Sequence, residues 1–401
     1  MNFWRNKMKT PDFDFDFSKR NAADDVIDAL VERVLAAYPP DRIERIKSRT
    51  AWTWNSASAK RQYDDRVTYL VTSPGDPDLS PDLPYPKDAT DIQNEMIWQL
   101  KSMLNNSVVD CEYFPGFSSG CEQATIPSLF GCVKERASNS EHVKPILQSP
   151  ADVWSLPAPE IREGFMCHDM LRRMAYKHQR TGGKIPVYMT DVQGPFSSAA
   201  QIWGIQDFLC DLAEHEKEAH HLLSLCTDAI INFFRAMWEV AGDTMVPMHC
   251  MPVYWIPKDC GVAVSDDFFA VVGRNTVENF SVPYLERIGA AFGGVTAHTC
   301  GSMNHLPEAM NRMKTLRAVN FSTSETDLRK YAAESDPRIT ILTHRSGLSC
   351  NGLPILNTVE HIAHCAKTQR DFGVKVFASV LWSGAPADEE NRKAWEAAAR
   401  L

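Results

Sequence analysis

No run of this 401-residue chain is apolar for long enough to cross a membrane, and its opening MNFWRNKMKTPDFDFDF lacks the apolar core of a secretion signal. Both absences lead to the expectation of a cytoplasmic protein. Paired cysteine spacing is missing as well: the 11 cysteines are scattered and odd in number. That pattern favours reduced thiols over a disulfide framework. There is no basic stripe, and 42 Lys and Arg stand against 51 Asp and Glu, for a formal net charge of -9. Nucleic-acid binding needs concentrated cations and is therefore not expected. Gly116 and Gly120 in PGFSSG have no Lys-Ser or Lys-Thr after them, which excludes a phosphate-binding P-loop.

What is present is enough for a large core, with 44% hydrophobic and 23% charged residues. Residues 1–105 read as an N-terminal arm and helical cap. The cap holds a helix over Ala22–Ala37, a Pro/Asp-rich loop at Ser73–Lys87 and a helix through Gln93–Leu104. From residue 106 to 401 the pattern turns to strand, loop and helix, repeated. Val108–Phe114 and Ile185–Thr190 read as strands, followed by helices over Ser198–Leu212 and Lys217–Val240. Gly261–Ser265, Gly294–His298, Arg317–Ser322, Arg338–Thr343 and Lys375–Val380 read as further strands. Helices are expected near Leu306–Met313, from Glu325, near Val359–Phe372 and near Glu389–Ala399. Short apolar strands alternating with helices imply a parallel sheet buried on both faces. Periodicity alone leaves two closures open, a (β/α)8 barrel and a doubly wound sheet.

In either, ligands bind beyond the C-terminal strand ends, so the residues that close each strand are the candidates. His298 and Cys300 stand two apart, which on extended backbone sends both side chains to one side. An imidazole and a thiolate converging in this way suit zinc, and Glu325 and Cys350 are candidates to complete four ligands. Asp266 and Asp267 end another strand as candidate acid/base groups; the competing reading is a helix N-cap. Asp191 and Gln193 close a further strand as substrate contacts. Tyr254 and Trp255 stand in a Pro-flanked loop as stacking surfaces. His344 and Arg345 are candidates to hold a carboxylate, and Trp382 closes the last strand. His249-Cys250 is no joint ligand pair, because neighbours on a strand point to opposite faces. EHEKEAHH, residues 214–221, reads as a solvated helix face.

From Val108 onward the chain resembles the superfamily of uroporphyrinogen decarboxylase, the corrinoid:thiol methyltransferases and cobalamin-independent methionine synthase. The resemblance rests on Asp191-Val192-Gln193-Gly194-Pro195-Phe196, Val264-Ser265-Asp266-Asp267, Asn279-Phe280-Ser281-Val282-Pro283-Tyr284 and Phe292–Gly301 (FGGVTAHTCG). It implies a single (β/α)8 TIM-type barrel. The H-x-C pair, matched by His298 and Cys300, implies the zinc methyltransferase branch, and Glu325 falls where methionine synthase has a further ligand. Where that branch draws a last Cys from the final strand, this chain has Leu381-Trp382-Ser383-Gly384. The Arg-rich motif of true uroporphyrinogen decarboxylases is missing: Arg42, Arg45, Arg49, Arg61 and Arg66 are scattered. The expectation is a zinc-dependent methyltransferase acting on a small-molecule substrate, with a corrinoid carried by a partner protein and a homodimer allowed. The alternatives are a metal-free decarboxylase or lyase using Asp266 or Asp267, and a binding protein that has lost a ligand.

Overall fold

The computed structural model describes residues 8–59, 63–72, 78–120, 123–137, 140–248, 254–381 and 389–401. Helices α1 (Ala22–Ala37) and α2 (Pro40–Thr53) precede strand β1 (Thr68–Thr72) and helix α3 (Asp91–Asn106). Asn21 and Asp24 cap α1 reciprocally, side chain to backbone, which satisfies two orphan donors. Its apolar stripe of Ile27, Leu30, Val31 and Val34 is buried, and α1 packs on α3.

Helix α4 (Thr125–Leu129) leads to β2 (Lys134–Ala137) and β3 (Ser140–Val143), which pair antiparallel. Helix α5 (Met166–Arg180) then reaches β4 (Val187–Tyr188). Helices α6 (Pro195–Trp203), α7 (Ile205–Asp211) and α8 (Glu216–Ala241) separate β4 from β5 (Met245–Val246). Strand β6 (Val262–Ser265) is followed by α9 (Arg274–Phe280) and α10 (Val282–Phe292). After β7 (Val295–His298), α11 (Pro307–Arg312), β8 (Leu316–Ser322), α12 (Leu328–Glu334) and β9 (Thr340–His344) alternate. The chain ends on α13 (Thr358–Phe372), β10 (Val376–Leu381) and α14 (Glu389–Ala399).

The continuous ladder is a six-stranded parallel sheet in the order β1-β10-β9-β8-β7-β6, and β4 pairs with β5 in parallel. Further backbone hydrogen bonds join segments outside these ladders or extend them. Glu112 N–H donates to Tyr69 O (3.1 Å), Phe117 to Pro186 (2.8 Å), Met189 to Val246 (3.0 Å) and Ala263 to Pro247 (3.2 Å). The segment 112–117, β4 and β5 therefore lie between β1 and β6, the two edges of the six-stranded sheet.

Several expectations change in detail. Strand β1 lies inside the segment read as a cap, yet it pairs with β10 over Thr68–Thr72, so part of that segment belongs to the sheet. Val108–Phe114 is not a strand; only Phe117 bridges to Val187. The helix expected over Ser198–Leu212 is split at Gly204, whose φ of 111° cannot continue a helix. The helix expected from Glu325 starts at Leu328, because Asp327 accepts from Arg329 N–H and Lys330 N–H as its N-cap. Glu325 is thereby left in the loop at the end of β8.

Behind that loop, a fully buried histidine ties three strands together. Thr343 Oγ1 donates to Phe377 O (3.2 Å) and so accepts from His361 Nε2 (3.1 Å). His361 Nδ1 then accepts from Thr323 Oγ1 (3.1 Å). Burial, with the positive charges of His364 and Arg345 adding to it, pushes the His361 pKa down to about 3. The folded imidazole stays neutral where the unfolded one, at about 6.5, takes up a proton. Its contribution is therefore complete above about pH 6.5 and is lost as pH falls toward 3. Between pH 6.5 and 5 the loss is about 2 kcal/mol. Denaturant melts of the wild type and His361→Asn at pH 7 and pH 5 test this. The stability gap between them narrows by roughly that amount at pH 5, and a gap independent of pH refutes it.

Candidate functional site

Register builds the site. Pairing of β6 with β7 sets Ser265 beside His298, and pairing of β7 with β8 sets His298 beside Asn320. Asp266 N–H donates to His298 O (2.8 Å), which closes the β6 end onto the β7 end. The next residue, Asp267, then faces the H-x-C segment: its Oδ1 accepts from Cys300 N–H (2.9 Å) and its Oδ2 from Gln193 Nε2 (3.1 Å). One ligand-type atom from each of Asp267, His298 and Cys300 lies within 4.8 Å of the other two. Among the described residues this is the only group of three or more such side chains that close.

The histidine is oriented from behind. Asn320 Nδ2 donates to Leu342 O (2.8 Å), which leaves Asn320 Oδ1 to face His298 Nδ1. An amide oxygen only accepts, so Nδ1 carries the proton. In the neutral ring Nε2 then holds a lone pair, and it lies 3.5 Å from Cys300 Sγ. Around that sulfur the field is negative. Burial first, then Asp267, Glu325 and Asp191, pushes the Cys300 thiol up to about 12. Glu325 is itself buried. Desolvation raises its carboxyl, partly offset by His298 when that ring carries a proton on both nitrogens and by a hydrogen bond from Gly301 N–H. Asp191 accepts from Ser265 Oγ (2.6 Å) at the same rim.

The expected ligand set is only partly assembled. His298 and Cys300 converge, but their third neighbour is Asp267, expected as an acid/base; neither Glu325 nor Cys350 joins the group. Cys350 N–H donates to Ser324 O (2.9 Å), which places it in the adjoining loop. Asp266, the other acid/base candidate, is 1% exposed. Its Oδ1 accepts from Ser197 Oγ (2.7 Å) at the start of α6. Its carboxyl is pushed up to about 7, by burial first. A Cβ on Gly194 would stand 3.0 Å from Asp266 Oδ2, so the glycine admits the carboxyl beneath the helix end. Direct contact with a substrate is closed to Asp266 by this burial.

Tyr254 is likewise no stacking surface. It is fully buried, donates to Thr343 O (3.1 Å) and meets the Phe377 ring edge to face at 4.2 Å. Trp255 is half-buried against Phe114, with Lys47 over its ring. His344 does reach the site, with its ring 5.6 Å from that of His298. Arg345 lines a separate cavity of about 350 Å³ with Ile355 and Asn357. Trp382, and the pair His249-Cys250, lie outside the described residues. Asn320 was not anticipated. Its signal is a single amide within the otherwise apolar stretch Ala318–Phe321, on the parity shared with Ser322.

Residues 124–249 match the model of the uroporphyrinogen decarboxylase (URO-D) family. That segment includes Asp191 and Gln193 and ends before Asp267, His298 and Cys300. No curated protein matches the chain by sequence. A solved methyltransferase from Methanosarcina mazei shares the fold, with a TM-score of 0.55 at 16% identity, over 88% of this chain and 97% of that one. The likeness is thus to the uroporphyrinogen decarboxylase family over residues 124–249 and, in overall fold, to a methyltransferase.

Proposed function

We propose that the chain is a zinc-dependent methyltransferase. It would move a methyl group between a small methylated compound, or a corrinoid on a partner protein, and a thiol. The observation that carries this reading is the convergence of Asp267, His298 and Cys300, with ligand atoms within 4.8 Å of one another. A carboxylate, an imidazole and a thiol make a donor set that suits zinc, and three protein ligands leave a position open for substrate. The fit extends to the ring nitrogen, since His298 is held with Nε2 as the acceptor. When bound, zinc supplies a Lewis acid that stabilises sulfur as thiolate near neutral pH. The solved methyltransferase of the same fold adds support for the reaction class.

The chain's own groups do the rest. Gln193 and the Cys300 N–H hold the Asp267 carboxylate in place. Glu325, buried and raised chiefly by desolvation, takes the proton of the acceptor thiol. The acceptor sulfur bonds to the methyl carbon, and the bond from that carbon to its former carrier breaks, its electron pair leaving with the carrier. The metal-free lyase reading loses one of its two acids to the burial of Asp266.

The purified protein should hold about one zinc per chain, and His298→Ala and Cys300→Ser should lose it. Absorbance loss of methylcobalamin in the presence of a thiol should stop on chelation and return with zinc. Turnover that persists in chelator, or a Cys300→Ser protein still stoichiometric in zinc, overturns the proposal.

A further inference from the structure

We infer that Asn320 is the positioning residue that selects the metal-binding tautomer of His298, an inference that rests on the zinc reading above for its purpose but not for its geometry. Asn320 is 0% exposed within the six-stranded sheet, where an amide without partners costs stability. Both of its polar atoms are used, and each fixes the other. Leu342 O can only accept, so the amide nitrogen must face it, at 2.8 Å. The amide oxygen is left for His298 Nδ1, and that nitrogen must donate. The strand register holds the arrangement, because Asn320 pairs with His298 on one side and with Leu342 on the other.

A neutral histidine in water divides its proton between two nitrogens, and only the nitrogen without it can bind a metal. In this site the proton is kept on the buried side, and the lone pair is presented to the mouth beside Cys300 Sγ. A ring held in this way needs no tautomer change and no rotation before it binds. Loss of such an outer partner elsewhere lowers metal affinity about 10- to 100-fold.

Two variants and two readouts test the inference. Asn320→Leu keeps the length and removes both polar atoms, whereas Asn320→Asp keeps an acceptor for Nδ1. Nitrogen-15 NMR of the metal-free protein in alkaline buffer reads the tautomer directly. Chelator competition reads zinc affinity. The wild type should show His298 protonated at Nδ1. The Leu variant should show a mixture, with zinc bound about 10- to 100-fold more weakly, and the Asp variant should retain both the tautomer and the affinity. If the Leu variant keeps the Nδ1 proton, or binds zinc within twofold of the wild type, Asn320 does not select the tautomer. If the Leu variant fails to fold, the Asp variant decides: a folded Asp variant that has lost the Nδ1 tautomer, or binds zinc tenfold more weakly, refutes the role. A wild type that shows the tautomer and binds no zinc would sink the metal proposal while leaving the orienting role of Asn320 supported.

Discussion

Asp267→Ala is expected to empty the protein of zinc and to abolish methyl transfer, whereas Cys350→Ser is expected to leave zinc stoichiometric. The two substitutions separate two candidate third ligands. Cys350 stands where a thiolate from a neighbouring loop would complete the set, but its backbone is tied to Ser324 and it does not join the cluster. Asp267 does join, and its carboxylate is already held by two donors, so little ordering remains when it binds. A direct ligand must be worth more than an outer partner, so the loss of affinity should exceed about 100-fold. Glu325→Gln completes the comparison. If Glu325 takes the thiol proton and does not hold the metal, zinc remains and the rate falls by about 10²- to 10⁴-fold. Zinc content by elemental analysis, with rates on the same preparations, reads all three variants. Retention of zinc by Asp267→Ala together with its loss from Cys350→Ser would reverse the assignment.

How far the sequence led depends on which distances are local. His298 and Cys300 are two residues apart at the end of an apolar strand, and that spacing alone brings them to one rim. The partner Asp267 is set by the pairing of Ser265 with His298, a contact between strands about 30 residues apart, and nothing local encodes it. The same holds for Asn320, which pattern places on the inward face but only register places beside His298. Tyr254 misleads for the opposite reason: flanking prolines make its segment look like an exposed rim, while its hydroxyl has a buried carbonyl partner at Thr343. Val108–Phe114 has strand composition, yet it makes only isolated contacts, through Glu112 to Tyr69 and, just beyond it, Phe117 to Val187. The regular C-terminal half was the more legible because each strand there is short, apolar and bounded by a helix. Its strand boundaries shift only by a residue or two.

Gly261→Ala is expected to be the most damaging substitution outside the site, costing about 4 kcal/mol or more. Gly261 opens β6 at φ +79°, and a Cβ there would lie 1.8 Å from Gly294 O and 2.2 Å from Gly294 C. Gly294 returns the constraint, since its own Cβ would meet Cys260 O at 2.6 Å. The two backbones cross where β6 and β7 begin, with Val262 N–H donating to Gly294 O (3.2 Å). A side-chain clash can be relieved by a rotamer change, but a clash with a backbone carbonyl needs the strands to move apart. Separation would disturb the pairing that runs from Val262 with Val295 to Ser265 with His298, and with it the approach of Asp267 to His298. Gly293→Ala is the control. Its φ is +83° and no atom lies within 4 Å of the added carbon, so it should cost only the left-handed backbone strain, about 1–2 kcal/mol. Denaturant melts of the two variants isolate the effect of the crossing from that of the backbone angle. Equal stabilities would mean that the strands part freely at their starts; a large gap, with zinc lost from Gly261→Ala and kept in Gly293→Ala, would tie the site's geometry to this close approach.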